Sequence, residues 1–295
     1  MPSVRFISLT EIEGLGFVEG FSAEMVKFRC NGVDWAVDLS GRGTPIVFLH
    51  GFPFDRTMYS FVAPLLSDKC RVIVPDLPGF GESRFSSGEI PDQFRMEDYA
   101  DGLASLLDEL EEVKAVICGL SMGGYIAMQF FRRHPDRLLG LIFCDTRSTP
   151  DTEDAAERRK HLADSVYQTG TLPLAEQMVP NLLSPSTIAN KADIVLYLRE
   201  MILRQDPSGV AAAARGMAVR DDSTPYLSWI SVPAIALGGN DDCISPPEVM
   251  SEMATSINGC ESVTIPESGH LPPLENPRFF AATVRNFIDR LYVGN

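Results

Sequence analysis

Short apolar segments alternate with amphipathic helical segments along most of this chain, and no other feature of the sequence constrains the fold as much. Six segments are predicted as β-strands: 45–49, 71–75, 115–118, 138–144, 233–237 and 261–265. Helical periodicity marks five more segments: 57–66, 95–111, 122–134, 246–257 and 277–291. Strands that are apolar throughout, rather than on alternate residues, are typical of a mostly parallel sheet covered by helices on both faces. The predicted fold class is therefore α/β.

The first part of the chain has a weaker pattern. Residues 1–23 are expected to form a loose arm or a poorly ordered strand. The dipeptide Asn31-Gly32 separates two segments with strand character, 28–30 and 35–37. Because both residues tolerate a left-handed backbone, this dipeptide favours the tight turn of a β-hairpin.

The alternation breaks once, between about residues 146 and 224. This stretch has no strand pattern, and its helical segments are punctuated by Pro173, Pro180, Pro185, Pro207 and Gly209. It follows directly on the carboxyl end of a strand, where open α/β sheets bind their ligands. We therefore predict a core in two parts, 1–145 and 225–295, with a helical cap formed by 146–224.

The charge and the cysteines narrow the classes of function. The 295 residues include 40 acidic and 25 basic side chains, a net charge of −15, which repels phosphate backbones and anionic lipids. We therefore expect no nucleic-acid partner and no membrane partner. The six cysteines and four histidines are not clustered, so no metal site is expected. No apolar run approaches the length of a membrane span and no signal peptide is recognised, so with free thiols we expect a cytoplasmic protein.

One motif points to nucleophilic catalysis. Gly119-Leu120-Ser121-Met122-Gly123 matches the pattern G-x-S-x-G, with a predicted strand before it and a helix after it. The glycines permit a tight strand-to-helix turn that lifts the serine hydroxyl above the edge of the sheet. The following helix begins with free N–H groups and the positive end of its dipole, which suit a developing oxyanion. On this motif alone, an ordinary glycine-rich turn remains an alternative.

Two further segments are predicted at the same edge of the sheet. The tetrapeptide H-G-F-P at 50–53 follows the strand 45–49 and can present the Phe52 N–H beside Ser121. His270 follows the last predicted strand, which is where a base for that serine should lie. The other three histidines are given other roles. His50 is expected to shape a loop, whereas His134 at the end of a helix and His161 in the charged stretch are expected to be capping or surface residues.

These motifs together resemble the α/β-hydrolase family, over about residues 28–291. The matching pieces are H-G-F-P at 50–53, D-L-P-G-F-G-E-S at 76–83, G-L-S-M-G-G at 119–124, G-N-D-D at 239–242, and G-H-L-P-P-L-E-N-P at 269–277. Their order, serine then acid then histidine, is also that of the family. The resemblance implies an α/β-hydrolase fold, with a mostly parallel central sheet flanked by helices and a helical cap.

The resemblance also bears on which acid orients His270. In the family the acid ends a G-x-x-D motif and a proline follows at a fixed spacing; Asp242, with Gly239 before it and Pro246 after it, meets this pattern and is preferred to the adjacent Asp241. Asp145 is a rival, since it follows the strand before the cap and some family members place the acid there. Together with Arg147, Asp145 is more readily explained as ordering the hinge of the cap by an ion pair or hydrogen bonds.

The chemistry that this constellation implies is acyl transfer. His270 would take the proton of Ser121, and Asp242 would hold the imidazole in one tautomer and stabilise its cation. The backbone N–H groups of Phe52 and Met122 would form an oxyanion hole, worth roughly 3–4 kcal/mol per donor. Water would then release the acid from the acylated serine, and no metal or organic cofactor is expected.

The expected function is hydrolysis of small carboxylic esters or lactones. Cofactor-free perhydrolysis and carbon–carbon bond hydrolysis on the same scaffold remain alternatives, and so does a binding protein without activity. The expected partner is a small-molecule substrate, and neither its acyl and alcohol groups nor the oligomeric state can be deduced. Six apolar residues of the cap could line an acyl pocket or pack between helices: Met178, Leu182, Leu183, Leu198, Met201 and Ile202.

Overall fold

The strands form one mixed, mostly parallel sheet in a computed structural model that describes residues 22–291. The strands are β1 Glu24–Cys30, β2 Val33–Ser40, β3 Thr44–Leu49, β4 Cys70–Pro75, β5 Arg84–Phe85, β6 Ala115–Leu120, β7 Leu138–Cys144, β8 Ala234–Gly239 and β9 Glu261–Ile265. The helices are α1 Met96–Glu109, α2 Met122–Arg133, α3 Glu153–Thr169, α4 Leu172–Leu182, α5 Pro185–Asn190, α6 Ala192–Leu203, α7 Pro207–Ala218, α8 Pro247–Thr255, α9 Pro272–Glu275 and α10 Pro277–Arg290.

The strand order explains why the central strands are apolar throughout. The order is β1-β2-β4-β3-β6-β7-β8-β9, with the short β5 paired to β2. From β4 to β9 along this order neighbouring strands are parallel, whereas β1, β2 and β5 are antiparallel to their partners. Every residue of β6 and β8 is buried, because helices cover this part of the sheet on both sides. The predicted fold class is confirmed.

All six predicted strands are present, with ends that differ by at most two residues, and the predicted hairpin is confirmed. At its turn both Asn31, with φ of 48°, and Gly32, with φ of 73°, have the left-handed backbone that a two-residue hairpin requires. The arm predicted for residues 1–23 lies, up to residue 21, outside the described residues. No helix within residues 22–291 is long and apolar enough to cross a membrane.

The prediction of a helix at 57–66 is wrong. This segment forms two short 3-10 turns, Arg56–Tyr59 and Ala63–Leu65, closed by hydrogen bonds between residues three apart. Pro64 has no N–H to donate, so it cannot supply the hydrogen bond that an α-helix needs in the middle of this segment. Turns of this kind still bury every third or fourth side chain, which explains why the apolar pattern is typical of a helix.

The stretch between β7 and β8 contains five helices, α3 to α7, and no strand. Helix α3 packs on α7, and α4 packs on α6. The two ends of the stretch are joined, because Ser223 donates its backbone N–H to the Ser148 carbonyl at 2.9 Å and the hydroxyls of Ser148 and Thr224 lie 2.9 Å apart. The division of the chain into core and cap at residues 146 and 224 stays a prediction.

Candidate active site

Ser121 lies at the sharp turn between β6 and α2. Its φ of 54° is left-handed, a conformation that costs a residue other than glycine about 1–3 kcal/mol. The turn is this tight because the chain passes close to itself: a Cβ atom on Gly119 would collide with the Gly123 carbonyl, and one on Gly123 with the Leu49 carbonyl. Only glycine fits at either position, so the sequence itself builds the strained turn that exposes the serine hydroxyl.

Two buried N–H groups flank this turn. Phe52 follows β3, and Met122 is the first residue of α2. Both residues are buried, and neither N–H donates a hydrogen bond within the described part of the chain. Buried backbone donors almost always have a partner, so these two unpaired N–H groups are candidate donors for an anionic oxygen.

His50 holds the loop that carries Phe52. The imidazole is fully buried, its Nε2 accepts the backbone N–H of Leu77 at 3.0 Å, and its Nδ1 lies 2.9 Å from the Gly51 carbonyl. These contacts require the neutral ring with its proton on Nδ1. Burial lowers the pKa of His50 to about 4, which keeps that form at neutral pH. His50 therefore shapes the loop, as expected from the sequence.

The other histidines also lie where the sequence placed them. His134 ends α2 and contacts Asp101 at 2.8 Å, and His161 is exposed on α3. His270 follows β9 and is buried, and its backbone N–H donates to the Leu182 carbonyl at 2.8 Å. This last bond joins the histidine loop to the end of α4, so the insertion between β7 and β8 touches the site.

Asp242 and His270 form the central contact of the site. Nδ1 of His270 lies 2.8 Å from Oδ2 of Asp242, whose Oδ1 accepts the Ile244 N–H at 2.8 Å. Burial alone would raise the pKa of Asp242, but the hydrogen bond and the charge of His270 outweigh burial and hold that pKa below its usual range. An ionised Asp242 fixes the tautomer in which Nε2 of His270 is free to accept a proton.

The serine and the histidine are not joined by a hydrogen bond in the described part of the chain. Within residues 22–291 the Ser121 hydroxyl forms no hydrogen bond with His270. The two residues follow β6 and β9 at the same carboxyl edge of the sheet. In serine hydrolases this contact often tightens only when substrate binds.

The two rival acids lie in different surroundings. Asp241 is exposed, and its carboxyl oxygen accepts from the Asn240 side chain rather than contacting His270. Asp145 is fully buried, and its carboxyl accepts the Gly239 N–H at 2.8 Å and the thiol of Cys144 at 3.0 Å. Burial, and then the charge of Asp242, raise the pKa of Asp145 well above its ordinary value.

Of the two interpretations of Asp145 at the hinge of the predicted cap, an ion pair is wrong, whereas hydrogen bonds are present. Among the described residues no arginine or lysine contacts its carboxyl group, and the guanidinium of Arg147 donates instead to the Ile244 carbonyl. Asp145 lies buried close to Asp242, and no local sequence pattern predicts this because the two residues are almost a hundred positions apart.

Asp145, Asp242 and His270 also place ligand-type atoms within 4.8 Å of one another. A cation could in principle use such a group of atoms. Here, however, Nδ1 of His270 and Oδ2 of Asp242 are at hydrogen-bond distance from each other, so no ion fits between them. The arrangement is explained by hydrogen bonding rather than by metal ligation.

A cavity of about 630 Å³ adjoins the site through Phe52 and Ile244. Its other lining residues come from α3 and from the end and middle of α4: Ala155, Arg158, Arg159, His161, Leu162, Ser165, Leu174, Gln177, Met178, Asn181 and Leu182. Of the six cap residues predicted from the sequence, Met178 and Leu182 line this cavity. The other four are packed in the apolar core instead: Leu183, Leu198, Met201 and Ile202.

The contribution of α3 to the cavity was missed. This helix is strongly charged, and the charge alone indicates a solvated surface. Its spacing gave a usable signal, because positions 155, 158, 159, 162 and 165 recur at intervals that place them on one face of a helix.

Known proteins resemble this chain over nearly its whole length. A family model described as alpha/beta hydrolase fold matches residues 44–277. A thermophilic esterase from Thermogutta terrifontis, solved with malate bound, is 43% identical with a TM-score of 0.86, covering 92% of this chain and 99% of that one. The pimeloyl-[acyl-carrier protein] methyl ester esterase of Nitrosomonas europaea is 27% identical, over 83% of this chain and 96% of the relative. An enol-lactonase from Burkholderia xenovorans LB400 shares the fold at 24% identity, with a TM-score of 0.82, over 90% of this chain and all of that one.

Proposed function

The chain belongs to the α/β-hydrolase fold family and is a carboxylic ester hydrolase, and we propose that it cleaves small esters or lactones through an acyl-enzyme on Ser121. The observation that carries this proposal is the 2.8 Å contact between His270 and Asp242, at the sheet edge from which the strained Ser121 turn projects. That contact leaves one imidazole nitrogen free to accept the serine proton.

The reaction proceeds in two halves. Nε2 of His270 takes the proton as Oγ of Ser121 attacks the carbonyl carbon, and the carbonyl oxygen becomes an oxyanion held by the N–H groups of Phe52 and Met122. Collapse of this intermediate expels the alcohol, which receives the proton from His270. Water then loses a proton to the same imidazole and attacks the acyl group, so that the carboxylic acid leaves and the serine is restored.

Asp242 supports both halves without changing its own protonation state. It holds the Nδ1–H of His270, and its negative charge stabilises the imidazolium that forms when the serine proton arrives. The burial of both residues strengthens this interaction, because water does not compete for the hydrogen bond.

The adjoining cavity supports a substrate of modest size. Its walls combine apolar side chains, including Leu162, Met178 and Leu182, with polar ones near the exposed face of α3. We propose that residues 146–224 form a cap whose helices α3 and α4 enclose the acyl group. Each methylene buried there contributes about 0.8 kcal/mol to binding, so short-to-medium acyl chains are preferred until the cavity is full.

The relatives support an ester as the substrate but do not specify its two parts. The names of the Thermogutta terrifontis and Nitrosomonas europaea proteins both denote esterases, the second one acting on a methyl ester. A lactone is an internal ester, so the same acyl-enzyme chemistry applies to it. Perhydrolysis and carbon–carbon bond hydrolysis would use the same three side chains, and their products distinguish them from simple ester cleavage.

The first test replaces the nucleophile. We expect Ser121→Ala to lower the turnover of p-nitrophenyl butyrate by about 10⁴–10⁶-fold, because triad members act as a unit. The control is Ser186→Ala, which changes an exposed serine on α5 and should leave turnover unchanged. Circular dichroism checks that both variants fold. If purified Ser121→Ala kept more than about a tenth of the wild-type turnover, Ser121 would not be the nucleophile.

A further inference from the structure

A second buried carboxyl group lies close to the acid of the proposed triad. Asp145 directly follows β7 with a positive φ of 42°, and its backbone N–H donates to the Leu237 carbonyl at 2.9 Å. The residue is fully buried. Its carboxyl group accepts the N–H of Gly239, three residues before Asp242, at 2.8 Å.

The carboxyl groups of Asp145 and Asp242 are too close for both to be ionised. One carboxyl oxygen of each residue and a ring nitrogen of His270 all lie within 4.8 Å of one another. Two negative charges at this separation in a buried site repel each other strongly, so one of the two groups retains a proton.

The surroundings indicate which group retains it. Asp242 faces His270, which can carry a positive charge, and it accepts a second hydrogen bond from the Ile244 N–H. Asp145 accepts only from neutral donors, the Gly239 N–H and the Cys144 thiol, and among the described residues no lysine or arginine reaches it. The titratable groups that interact within this cluster are Tyr59, Cys118, Cys144, Asp242 and His270.

We infer that Asp145 is a neutral carboxylic acid that donates a hydrogen bond to the carboxylate of Asp242, and that it is thereby a positioning residue for the triad. The inference rests on the proposed function in so far as that function makes Asp242 the triad acid. The raised pKa of Asp145 and the lowered pKa of Asp242 support the same assignment.

This hydrogen bond completes the coordination of Asp242. One carboxylate oxygen faces His270, the other accepts from Ile244, and the Asp145 proton adds a third donor. With three donors around it, the carboxylate cannot rotate away from the imidazole. The cluster also carries one negative charge rather than two, which is the charge needed to balance one imidazolium.

The first test measures the proton directly, without any assay of activity. An aspartate in an unfolded chain has a pKa of about 3.9, so at neutral pH the wild type must take up a proton at Asp145 when it folds. A group that holds a proton only when folded loses its contribution to stability as the pH rises. Asp145→Asn needs no such uptake, so its melting temperature should exceed that of the wild type by a margin that grows steadily from about pH 5 to about pH 8.

The matched control for this test is Asp241→Asn. Asp241 is exposed, so the difference in melting temperature between Asp241→Asn and the wild type should be almost independent of pH over the same range. A margin for Asp145→Asn that stays flat with pH would show that Asp145 is ionised in the folded protein, and the inference would then be overturned. This outcome does not depend on whether Ser121 is the nucleophile.

The second test assigns the proton within the pair. An asparagine at 145 still offers an N–H donor to Asp242, so we expect turnover of Asp145→Asn to stay within about tenfold of wild type. Asp145→Ala removes the donor, and we expect kcat to fall about ten- to a hundredfold, the value of a hydrogen bond to a charged group, with KM little changed.

The reverse ranking would contradict the assignment. If Asp145→Asn were the crippling change and Asp242→Asn the mild one, Asp145 would be the ionised acid and Asp242 its donor. Should Asp145→Ala fail to fold, the asparagine variants at 145 and 242 still decide between these assignments. If the proposed function itself were wrong, Ser121→Ala would retain activity. That outcome is therefore distinguished from a wrong assignment of the proton.

Discussion

At the scale of single residues, the site depends on how Asp242 and His270 share one buried hydrogen bond. Both side chains are almost fully buried, and the 2.8 Å contact between them uses one imidazole nitrogen and leaves the other one free. In the proposed mechanism the aspartate acts through the histidine, by fixing its tautomer and orientation. This role depends on the negative charge and on the acceptor, and an amide of the same shape supplies neither.

We therefore expect Asp242→Asn to lower turnover by about 10³–10⁴-fold, because the amide favours the wrong tautomer of His270. The measurement is kcat on a p-nitrophenyl ester with the folded variant. Asp241→Asn is the matched control, since Asp241 is the adjacent residue but is exposed, and its turnover should be close to wild type. Equal losses in the two variants would mean that the contact between Asp242 and His270 has no special role.

The sequence was most informative at this scale. The motif around Ser121, the position of His270 after the last strand and the family spacing around Asp242 each predicted a residue that the fold brings to one edge of the sheet. The position of Asp145 close to Asp242 was not predictable. It depends on the parallel pairing of β7 with β8, and nothing local to either residue reports that pairing.

At the scale of elements, helices α3 and α4 form most of the wall of the cavity that adjoins the site. Both contribute side chains to the cavity of about 630 Å³, whereas α6 packs behind α4 and does not line it. Met178 lies on the cavity side and is partly buried, and Met201 on α6 is fully buried. Replacing each of these two methionines in turn therefore separates the effect of cavity shape from the effect of helix packing on stability.

We expect Met178→Ala to move the preferred acyl chain to a greater length, because it enlarges the cavity next to the site. The measurement is kcat/KM across acetate, butyrate, hexanoate and octanoate esters. Met201→Ala should leave this profile unchanged but lower the free energy of unfolding by about 2–5 kcal/mol, the usual cost of truncating a buried methionine. An identical profile in Met178→Ala and wild type would show that this wall of the cavity does not bind the acyl group.

The elements that the sequence predicted correctly differ in physical terms from those that it did not predict. Strands β6 and β7 are continuous apolar runs, and only burial on both faces of a sheet explains such runs. The segment 57–66 has apolar spacing that 3-10 turns share with α-helices, and the one residue that distinguishes them is Pro64. The charged sequence of α3 did not indicate that one face of this helix lines a cavity. Long side chains such as Arg158 can line a cavity while their charged ends stay in water.

At the scale of the whole molecule, an ion pair and several hydrogen bonds join the insertion between β7 and β8 to the rest of the chain. The guanidinium of Arg204, just after α6, donates to both oxygens of Asp55 at 2.7 and 2.8 Å, and Gln205 donates to the same carboxylate at 2.8 Å. Tyr197 adds a hydrogen bond of 2.9 Å to the Thr57 carbonyl. Asp55 ends the loop that carries Phe52, so this contact joins the cap to the proposed oxyanion hole.

Because Asp55 is ionisable, its contact with Arg204 makes the stability of the folded protein depend on pH. Burial alone would raise the pKa of Asp55, but its hydrogen bond and ion pair with Arg204 prevail and hold the pKa below the usual range. A group whose pKa is lowered by folding stabilises the protein above its unfolded pKa of about 4, and that stabilisation is lost as the pH falls through the lower, folded value. The melting temperature of the wild type should therefore drop steeply below about pH 4.

Asp55→Asn tests this account of the junction. We expect it to lower the free energy of unfolding at pH 7 by about 1–3 kcal/mol, since Arg204 loses its partner but is one-third exposed, and water screens the remaining charge. The decline of its melting temperature below pH 4 should also be shallower than in wild type. The control is Asp289→Asn, which breaks an exposed pair with Lys69 and should cost less than about 1 kcal/mol. Similar costs for the two variants would rule out a special role for the junction.

The acyl-enzyme on Ser121 is the central claim, and covalent trapping tests it most directly. The enzyme is mixed with excess p-nitrophenyl butyrate and quenched in acid within the first turnovers, and its peptides are then mapped by mass spectrometry. We predict a butyryl group on the peptide that contains Ser121 in the wild type, and none on that peptide in Ser121→Ala. A butyryl group on another residue that accumulates at the rate of turnover, or rapid turnover with no covalent adduct in either enzyme, would contradict the mechanism.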